Sequence, residues 1–396
     1  MVEPFPKKRL LDLDLLGKQL LIRADLNAPL VDGRVADDAR LHAALPGIRA
    51  AHAAGAGVVL ASHLGRPGGR IDPRLTLRPV ADRLARLLGA PVRFDPTRAS
   101  ADQPPERVGS GATLLLENLR FHPGETANDP DFGARLAAWG DEYANDAFGT
   151  AHRAHASTVA CARRFARAAG GPLLERELRV LGGALHAPRR PFVAVLGGAK
   201  ISDKLAVVRS LLDRADAVLV GGAMAYTFLG AAGHATGRSL MDPERLDEAS
   251  ALLRRHASRL VLPTDHLAAP DPDHEGEATF FPATTTPAGW MGLDIGLETR
   301  RDFSTRLQRA ATIIWNGPMG MFERRAFAGG TESVAAAVAK TAGQGATTIV
   351  GGGDSLAALR RLGTGDGVGH LSTGGGAMLT LLAGQSLPGV EALADA

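Results

Sequence analysis

Phe192-Val-Ala-Val-Leu196-Gly-Gly-Ala-Lys200-Ile-Ser-Asp-Lys204 decides the fold reading of this chain. Five apolar residues in a row, bounded by glycines, read as a short strand buried on both faces. Such strands belong to parallel sheets covered by helices. The glycine pair that closes the run leads into a helical pattern expected over 202–213, so the stretch is a strand–loop–helix unit. Backbone N–H groups at such a helix start can cradle phosphates. Lys200 and Lys204 are four apart and are expected on one helix face near its N-terminus. Cations are unfavourable there unless an anion is present. The loop is not a Walker A sequence, which needs GxxxxGK[ST], and no GxGxxG follows any strand.

The same alternation extends in both directions. Short apolar runs at 20–25, 57–62, 113–118 and 143–147 precede it, and runs at 217–220, 259–263, 312–315 and 347–351 follow. Helical patterns lie between them at 38–54, 76–88, 131–139, 244–256, 331–342 and 354–362. The expected fold is α/β: two successive doubly wound, Rossmann-like parallel sheets. Gly170-Gly171-Pro172 marks a boundary, and 173–186 reads as one helix before Pro188. This predicts an N-terminal domain over 1–172, a connecting helix and hinge over 173–188, and a C-terminal domain over 189–383. The tail 384–396 is a candidate to dock on the first domain.

Composition narrows the function. The chain has 396 residues, 45% hydrophobic and 22% charged, enough apolar content for two sizeable cores. Lys+Arg 45 against Asp+Glu 42 leaves a net charge of +3, and only six of the cations are lysine. Aromatics at 5% and the lack of a basic stripe argue against nucleic acid as a partner. Ala217–Gly237 lacks Asp, Glu, Lys and Arg, yet glycines interrupt it, so a buried strand, a turn and a helix fit better than a membrane span. Cys161 is the single cysteine, which rules out an intrachain disulfide and fits a reducing, cytoplasmic setting. The N-terminal segment carries charges where a signal peptide needs an apolar core.

Ligands of open parallel sheets bind beyond the carboxyl ends of the strands. In the first half those ends carry Arg23-Ala-Asp25-Leu-Asn27, then His63-Leu64-Gly65-Arg66, then Arg120, then His152-Arg153; Arg40 opens the helix at 38–54. Arginine offers a planar fork for carboxylate and phosphate oxygens, and Asp25 and Asn27 suit hydroxyls. Any one arginine among so many is ordinarily a solvated surface charge, and Asp and Asn are ordinary turn residues. Four arginines and His63 at successive strand ends are harder to explain that way. His152 and His155 have metal-like spacing, but no acid or cysteine cluster supports a zinc site.

The second half ends its strands in glycine. Gly351-Gly352-Gly353-Asp354-Ser355 opens a helix, where Asp354 reads either as the N-cap or as a ligand of Mg²⁺ on a nucleotide. His370-Leu-Ser-Thr-Gly374-Gly375-Gly repeats that design. Trp315-Asn316-Gly317-Pro318-Met-Gly-Met-Phe-Glu323 supplies an apolar wall and one carboxylate suited to ribose, or else an exposed loop acid. No Ser–His–Asp set, Cys–His pair or general base emerges, and phosphoryl transfer requires little beyond positioning and charge. The residues describe a two-domain, Mg-nucleotide-dependent kinase acting on a small anion. A different small-molecule kinase on this layout would lack the first-half arginines. A nucleic-acid-binding role would predict salt-dependent DNA retention without ATP turnover.

RADLNAP, HLGRP, LLLENLRF, GTAHRAHAS, GGAKISDK, GWMGLDIG, WNGPMGMFE, GGGDS and HLSTGGGA run in that order from residue 20 to residue 383. This ordered set is similar to the motifs of the phosphoglycerate kinase family. Leu26, Ala28, Ala223 and Ser355 depart from that pattern without removing a charged group. The resemblance implies a monomeric, cytoplasmic glycolytic enzyme with 1,3-bisphosphoglycerate, 3-phosphoglycerate, ADP and ATP as substrates, Mg²⁺ as cofactor, and no membrane partner. It also implies that Arg23, Asp25, Asn27, His63, Leu64, Gly65, Arg66, Arg120 and Arg153 hold 3-phosphoglycerate. Arg40 would stabilise the transferring group, and Lys200 and Lys204 would bridge phosphates. Asn316, Pro318, Glu323, Ser355 and the glycines 351–353 and 374–375 would hold nucleotide, with Asp354 on the metal.

Overall fold

The computed structural model describes residues 6–97, 107–202 and 204–396, so Asp203 of the lysine loop and the first five residues lie outside the described residues. Contacts gather the chain into two units. One runs to Val180 and takes back Ser386–Ala396; the other is Leu181–Gln385.

In the first unit six strands form one sheet: β1 Gln19–Ala24, β2 Gly57–Ala61, β3 Val92–Asp95, β4 Thr113–Leu116, β5 Glu142–Asp146 and β6 Ala169–Gly170. Their order is β3-β4-β2-β1-β5-β6, with every pairing parallel. Every residue of β1, β2, β4 and β5 is buried, as strands covered on both faces require. Helices α1 (Ala39–Ala53) and α2 (Arg78–Leu88) turn Leu41, Ala44, Ile48, Val80 and Leu84 onto Leu20, Ile22, Val58 and Leu60. The chain moves to opposite sides of β1 through β2 and β5, so the sheet's topological switch point, where ligands bind, lies there.

The tail belongs to this unit: Gly389 N–H donates to Ala151 O, and Ala394 N–H to Ala168 O, both at 2.9 Å. Cys161 is fully buried here, and burial pushes its thiol up. Asp146, at the end of β5, accepts from Leu173 N–H (2.7 Å) and Leu174 N–H (3.2 Å), anchoring the start of a helix, α3, Pro172–His186. Glycine at 47 and 171 is what lets that carboxylate in; a Cβ at either would come within 2.6 Å of a carboxylate atom. The division between the units falls inside α3, and a Cβ on Gly182 or Gly183 of that helix would meet no described atom within 4 Å.

The second unit repeats the plan with β7 Phe192–Leu196, β8 Ala217–Val220, β9 Leu260–Val261, β10 Asp265–Ala269, β11 Thr279–Pro282, β12 Met291–Ile295, β13 Thr312–Asn316, β14 Thr347–Gly351 and β15 His370–Ser372. The main sheet is parallel throughout, in the order β9-β8-β7-β13-β14-β15, and its switch point lies between β7 and β13. Two features correct the sequence reading. The strand expected over 259–263 shrinks to two residues. A further antiparallel sheet, β11-β10-β12, also stands beside the parallel one. Its outer strands are partly exposed, and all three interrupt their apolar residues with Asp, His, Thr or Gly, so none carries the continuous apolar run of the parallel strands.

No helix among the described residues is long and apolar enough to cross a membrane.

Candidate active site

Beyond the carboxyl ends of β1 and β2, hydrogen bonds gather most of the first-half candidates. Arg40, in the first turn of α1, donates from Nη1 to Asp25 Oδ2 at 2.5 Å. The Asn27 amide oxygen accepts from Gly65 N–H (2.9 Å), and the Gly65 carbonyl accepts from Arg120 Nη1 (2.7 Å). Gly65 has φ +62°, and a Cβ there would meet Leu75 at 2.8 Å, so this turn requires glycine. Leu64 is buried, and its N–H donates to Asn118 Oδ1, which also accepts from Arg120 N–H. The loop after β2 and the turn after β4 are thereby locked together.

The cluster is strongly cationic. Burial first, then the charges of Arg23 and Arg153, bring the Arg120 guanidinium down to about 10. Arg120 Nε has no hydrogen-bond partner among the described residues. His63 is 3% exposed, and burial together with Arg23, Arg120 and Arg40 drives its pKa well below the ordinary value, so the ring is neutral. Arg66 is exposed on the same loop. Arg153 is half-buried and donates from Nε to His152 Nε2 at 3.2 Å.

Arg23 stands apart. It is 0% exposed, and it donates to Ser157 Oγ (2.8 Å), Ala24 O (2.5 Å) and His63 Nδ1 (3.2 Å). It lies behind the surface that the other cations present. Glu125 and Ser157, to which the sequence reading gave no role, are buried beside it. Ser157 donates its hydroxyl and its N–H to the two Glu125 carboxylate oxygens, at 2.6 and 3.0 Å.

In the second unit the site forms at the β7/β13 switch point. Lys204 donates from Nζ to Gly197 O (2.6 Å) and Asn316 O (3.2 Å), the carbonyls that end those two strands. The close fit demands glycine: a Cβ on Gly317 would sit 2.6 Å from that ammonium. The helix after this loop is α4, Leu205–Arg214, with Lys204 at its N-cap position. This corrects the expectation of a helix from 202 with both lysines on one face. Lys200 is exposed in the loop before it. Lys204 itself, at φ −125° and ψ −1°, stands outside the helix and is held at the strand ends instead.

Behind the loop, Gly317 N–H donates to Ser355 Oγ (2.7 Å), and Asn316 Nδ2 to Gly351 O (2.8 Å). Gly352, at φ +99°, is the N-cap of α5, Gly353–Leu362, so Asp354 is not the cap. Asp354 is exposed in the first turn and lines a cavity of about 330 Å³. Gly198, Ala223, Pro318 and Glu323 line the same cavity. Leu240 (58% exposed) and Met321 (37%) leave apolar side-chain surface open on its walls. Gly374 and Gly375 precede the helix Gly376–Leu382 and do not line this cavity; Gly374 N–H donates to Ser372 Oγ at 3.2 Å.

The sequence reading gave no role to Tyr226, His266, Met291 and Asp294, which also form the wall. Three of them ride on the antiparallel sheet, whose strands it did not recognise. Burial pushes the Asp294 carboxyl up to about 7 against the opposing pull of Arg300, and lowers His266 to about 4.

A glycine-edged cavity with carboxylates on its wall and Lys204 on the carbonyls of the same switch point, together with a guanidinium cluster at the other, define a nucleotide-dependent phosphotransferase. The sequence profile of the family described as Phosphoglycerate kinase matches residues 10–385. The phosphoglycerate kinase of Rubrobacter xylanophilus is 52% identical over 98% of both chains. That of Desulforudis audaxviator is 48% identical over 98% of this chain and 99% of its own. Among solved structures, the phosphoglycerate kinase from Coxiella burnetii superposes with TM-score 0.89 at 38% identity, covering 98% of each chain. The one from Pyrococcus horikoshii gives 0.84 at 33%, again over 98% of each. The chain belongs to the phosphoglycerate kinase family.

Proposed function

We propose that the guanidinium cluster of the first unit holds 3-phosphoglycerate and that the cavity of the second unit holds Mg-nucleotide. As a member of its family the chain is a glycolytic kinase, transferring a phosphoryl group reversibly between 1,3-bisphosphoglycerate with ADP and 3-phosphoglycerate with ATP. The observation that carries the assignment is the difference between the two switch points. One presents arginines that ion-pair with carboxylate and phosphate oxygens, and the other presents glycine backbone and open apolar walls suited to a base.

Arg66, Arg120 and Arg153 meet the anionic groups of 3-phosphoglycerate, while Asp25 and Asn27 take its hydroxyl and His63 donates beside them. Leu64 and Gly65 contribute the loop backbone. In the second unit Glu323 takes the ribose, and Asn316, Pro318 and Ser355 shape the loop around the phosphates with the glycines 351–353. Lys200 and Lys204 meet the transferred group, and Arg40 meets the charge that develops during transfer. The bond between phosphorus and the carboxyl oxygen breaks as the bond to the ADP oxygen forms. The ADP oxygen attacks as an anion and the carboxyl oxygen leaves as a carboxylate, so no proton moves and no general base is required.

Mg²⁺ fits the donors present. No group of three or more His, Cys, Asp or Glu able to hold a metal occurs among the described residues, and Asp354 offers an exposed carboxylate on the cavity wall. One carboxylate plus phosphate oxygens and water is how Mg²⁺ is ordinarily bound with nucleotides, and the ion supplies neutralisation of phosphate charge. Because one chain supplies both sites, a monomer suffices. The lone buried cysteine suits a reducing cytoplasm.

The test is ADP formation from ATP with 3-phosphoglycerate as acceptor. No turnover above the rate without acceptor would sink the assignment.

A further inference from the structure

The side chains behind His63 have only one consistent set of hydrogen-bond directions. A guanidinium donates and never accepts. The Arg23 Nη2 contact with His63 Nδ1, at 3.2 Å, therefore makes Nδ1 the acceptor. A neutral imidazole carries one proton, so it must sit on Nε2. That neutrality follows from the burial and surrounding arginines described above.

Arg23 is itself held. Its Nε donates to Ser157 Oγ at 2.8 Å, so that hydroxyl must send its own proton elsewhere, and Glu125 Oε1 receives it at 2.6 Å. The second Glu125 oxygen accepts Ser157 N–H at 3.0 Å. Glu125 is 0% exposed. Burial opposes its charge, but His155, the Arg23 charge and the Ser157 hydroxyl together hold the carboxyl below its usual range. His155 Nδ1 is 3.7 Å from Glu125 Oε1, an electrostatic neighbour rather than a hydrogen-bond partner. A buried carboxylate beneath a cationic cluster thus compensates a buried guanidinium through one hydroxyl. The chain Glu125–Ser157–Arg23–His63 is hydrogen-bonded at every link, and such linked buried networks fix one geometry.

We propose that Glu125 and Ser157 are positioning residues that act through Arg23 to fix the tautomer of His63, so that His63 presents its Nε2–H to an oxygen of the bound substrate. The proposal rests on the reading that His63 faces 3-phosphoglycerate. It adds two residues and a direction of hydrogen bonding to that reading.

Imidazole ¹⁵N spectra of the full-length protein test it, with His63 assigned by loss of its signals in His63→Gln. The expected wild-type result is a protonated Nε2 and a bare Nδ1, and a protonated Nδ1 would overturn the proposal. Ser157→Ala cuts the link between Glu125 and Arg23 while keeping both charges. In that variant His63 is expected to exchange between tautomers, and KM for 3-phosphoglycerate to rise by about tenfold while KM for ATP stays within twofold. A merely structural role would lower thermal stability and leave the tautomer and both KM values as they were, which also overturns the proposal. The wild-type spectrum decides the tautomer even if the variant does not fold. Absence of wild-type turnover would instead overturn the substrate assignment, with the tautomer still read independently.

Discussion

The Arg40 guanidinium and the Asp25 carboxylate are joined at 2.5 Å, an arginine from the first turn of α1 bonded to the acid that follows β1. The pair holds Arg40 over the strand end with its side chain about one-third exposed. If this arginine meets charge that develops only during transfer, Arg40→Ala should reduce kcat by ~10³-fold or more while changing KM for either substrate far less. A variant keeping over half of wild-type kcat would remove Arg40 from the chemistry.

Asp354→Asn separates two roles for an acid at a helix start. Gly352 already occupies the N-cap position, so substitution should leave thermal stability nearly unchanged. The Mg²⁺ concentration needed for half-maximal activity should rise, by roughly tenfold for loss of one charged ligand, with KM for 3-phosphoglycerate unaltered. A titration that superimposes on wild type would argue against metal binding at this residue.

Direct transfer needs reacting atoms within about 3–3.5 Å, and the two ligands are assigned to different units joined through α3. Gly182 and Gly183 are its weak point, since helical glycine costs ~0.5–1 kcal/mol relative to alanine and packing forbids neither substitution. The double variant Gly182→Ala/Gly183→Ala should therefore raise thermal stability and, by stiffening a hinge at that position, lower kcat. Small-angle scattering with no ligand, each ligand and both should show a smaller ligand-induced change than in wild type. Unaltered kcat and scattering would place the pivot elsewhere.

His266 gives a pH prediction. Burial lowers its pKa to about 4, with Asp265 pulling weakly the other way. The unfolded chain takes up a proton at this residue below about 6.5, the folded chain only below about 4. Stability from keeping the ring neutral is thus complete above about pH 6.5 and lost as pH falls towards 4, with an upper limit on the order of 3 kcal/mol. In His266→Phe the gap between melting temperatures at pH 7 and pH 4.5 should narrow by several degrees. An equal gap in both proteins would mean that the ring is not neutral in the fold.

Legibility in the sequence followed burial. At Phe192–Leu196, Ala217–Val220 and Thr347–Gly351 the strands coincide with apolar runs, because central parallel strands are apolar on both faces. Val92–Asp95 and Thr279–Pro282 carry no such run, because each pairs on one side only and stays partly open to solvent. His266, Met291 and Asp294 lie on neighbouring strands that mix polar with apolar residues, so no apolar run marked them, although they line the same cavity as Glu323 and Asp354. Four-residue spacing puts Lys200 and Lys204 on a shared helix face. The Lys204 ammonium instead bonds the carbonyls ending β7 and β13, a tertiary contact no local pattern encodes. Proximity in sequence groups Arg23 with Asp25. Its actual partners, Ser157 and His63, are 134 and 40 positions away.

Cys161 gives the protein an internal reporter of its own opening. The thiol is wholly enclosed, belongs to the first unit and has no second cysteine to confuse the signal. A thiol-blocking reagent can modify it only when that unit opens, so the labelling rate, followed by mass, times the exposure of one half of the chain. Adding 3-phosphoglycerate or nucleotide separately would then show which ligand protects that half, without introducing a probe.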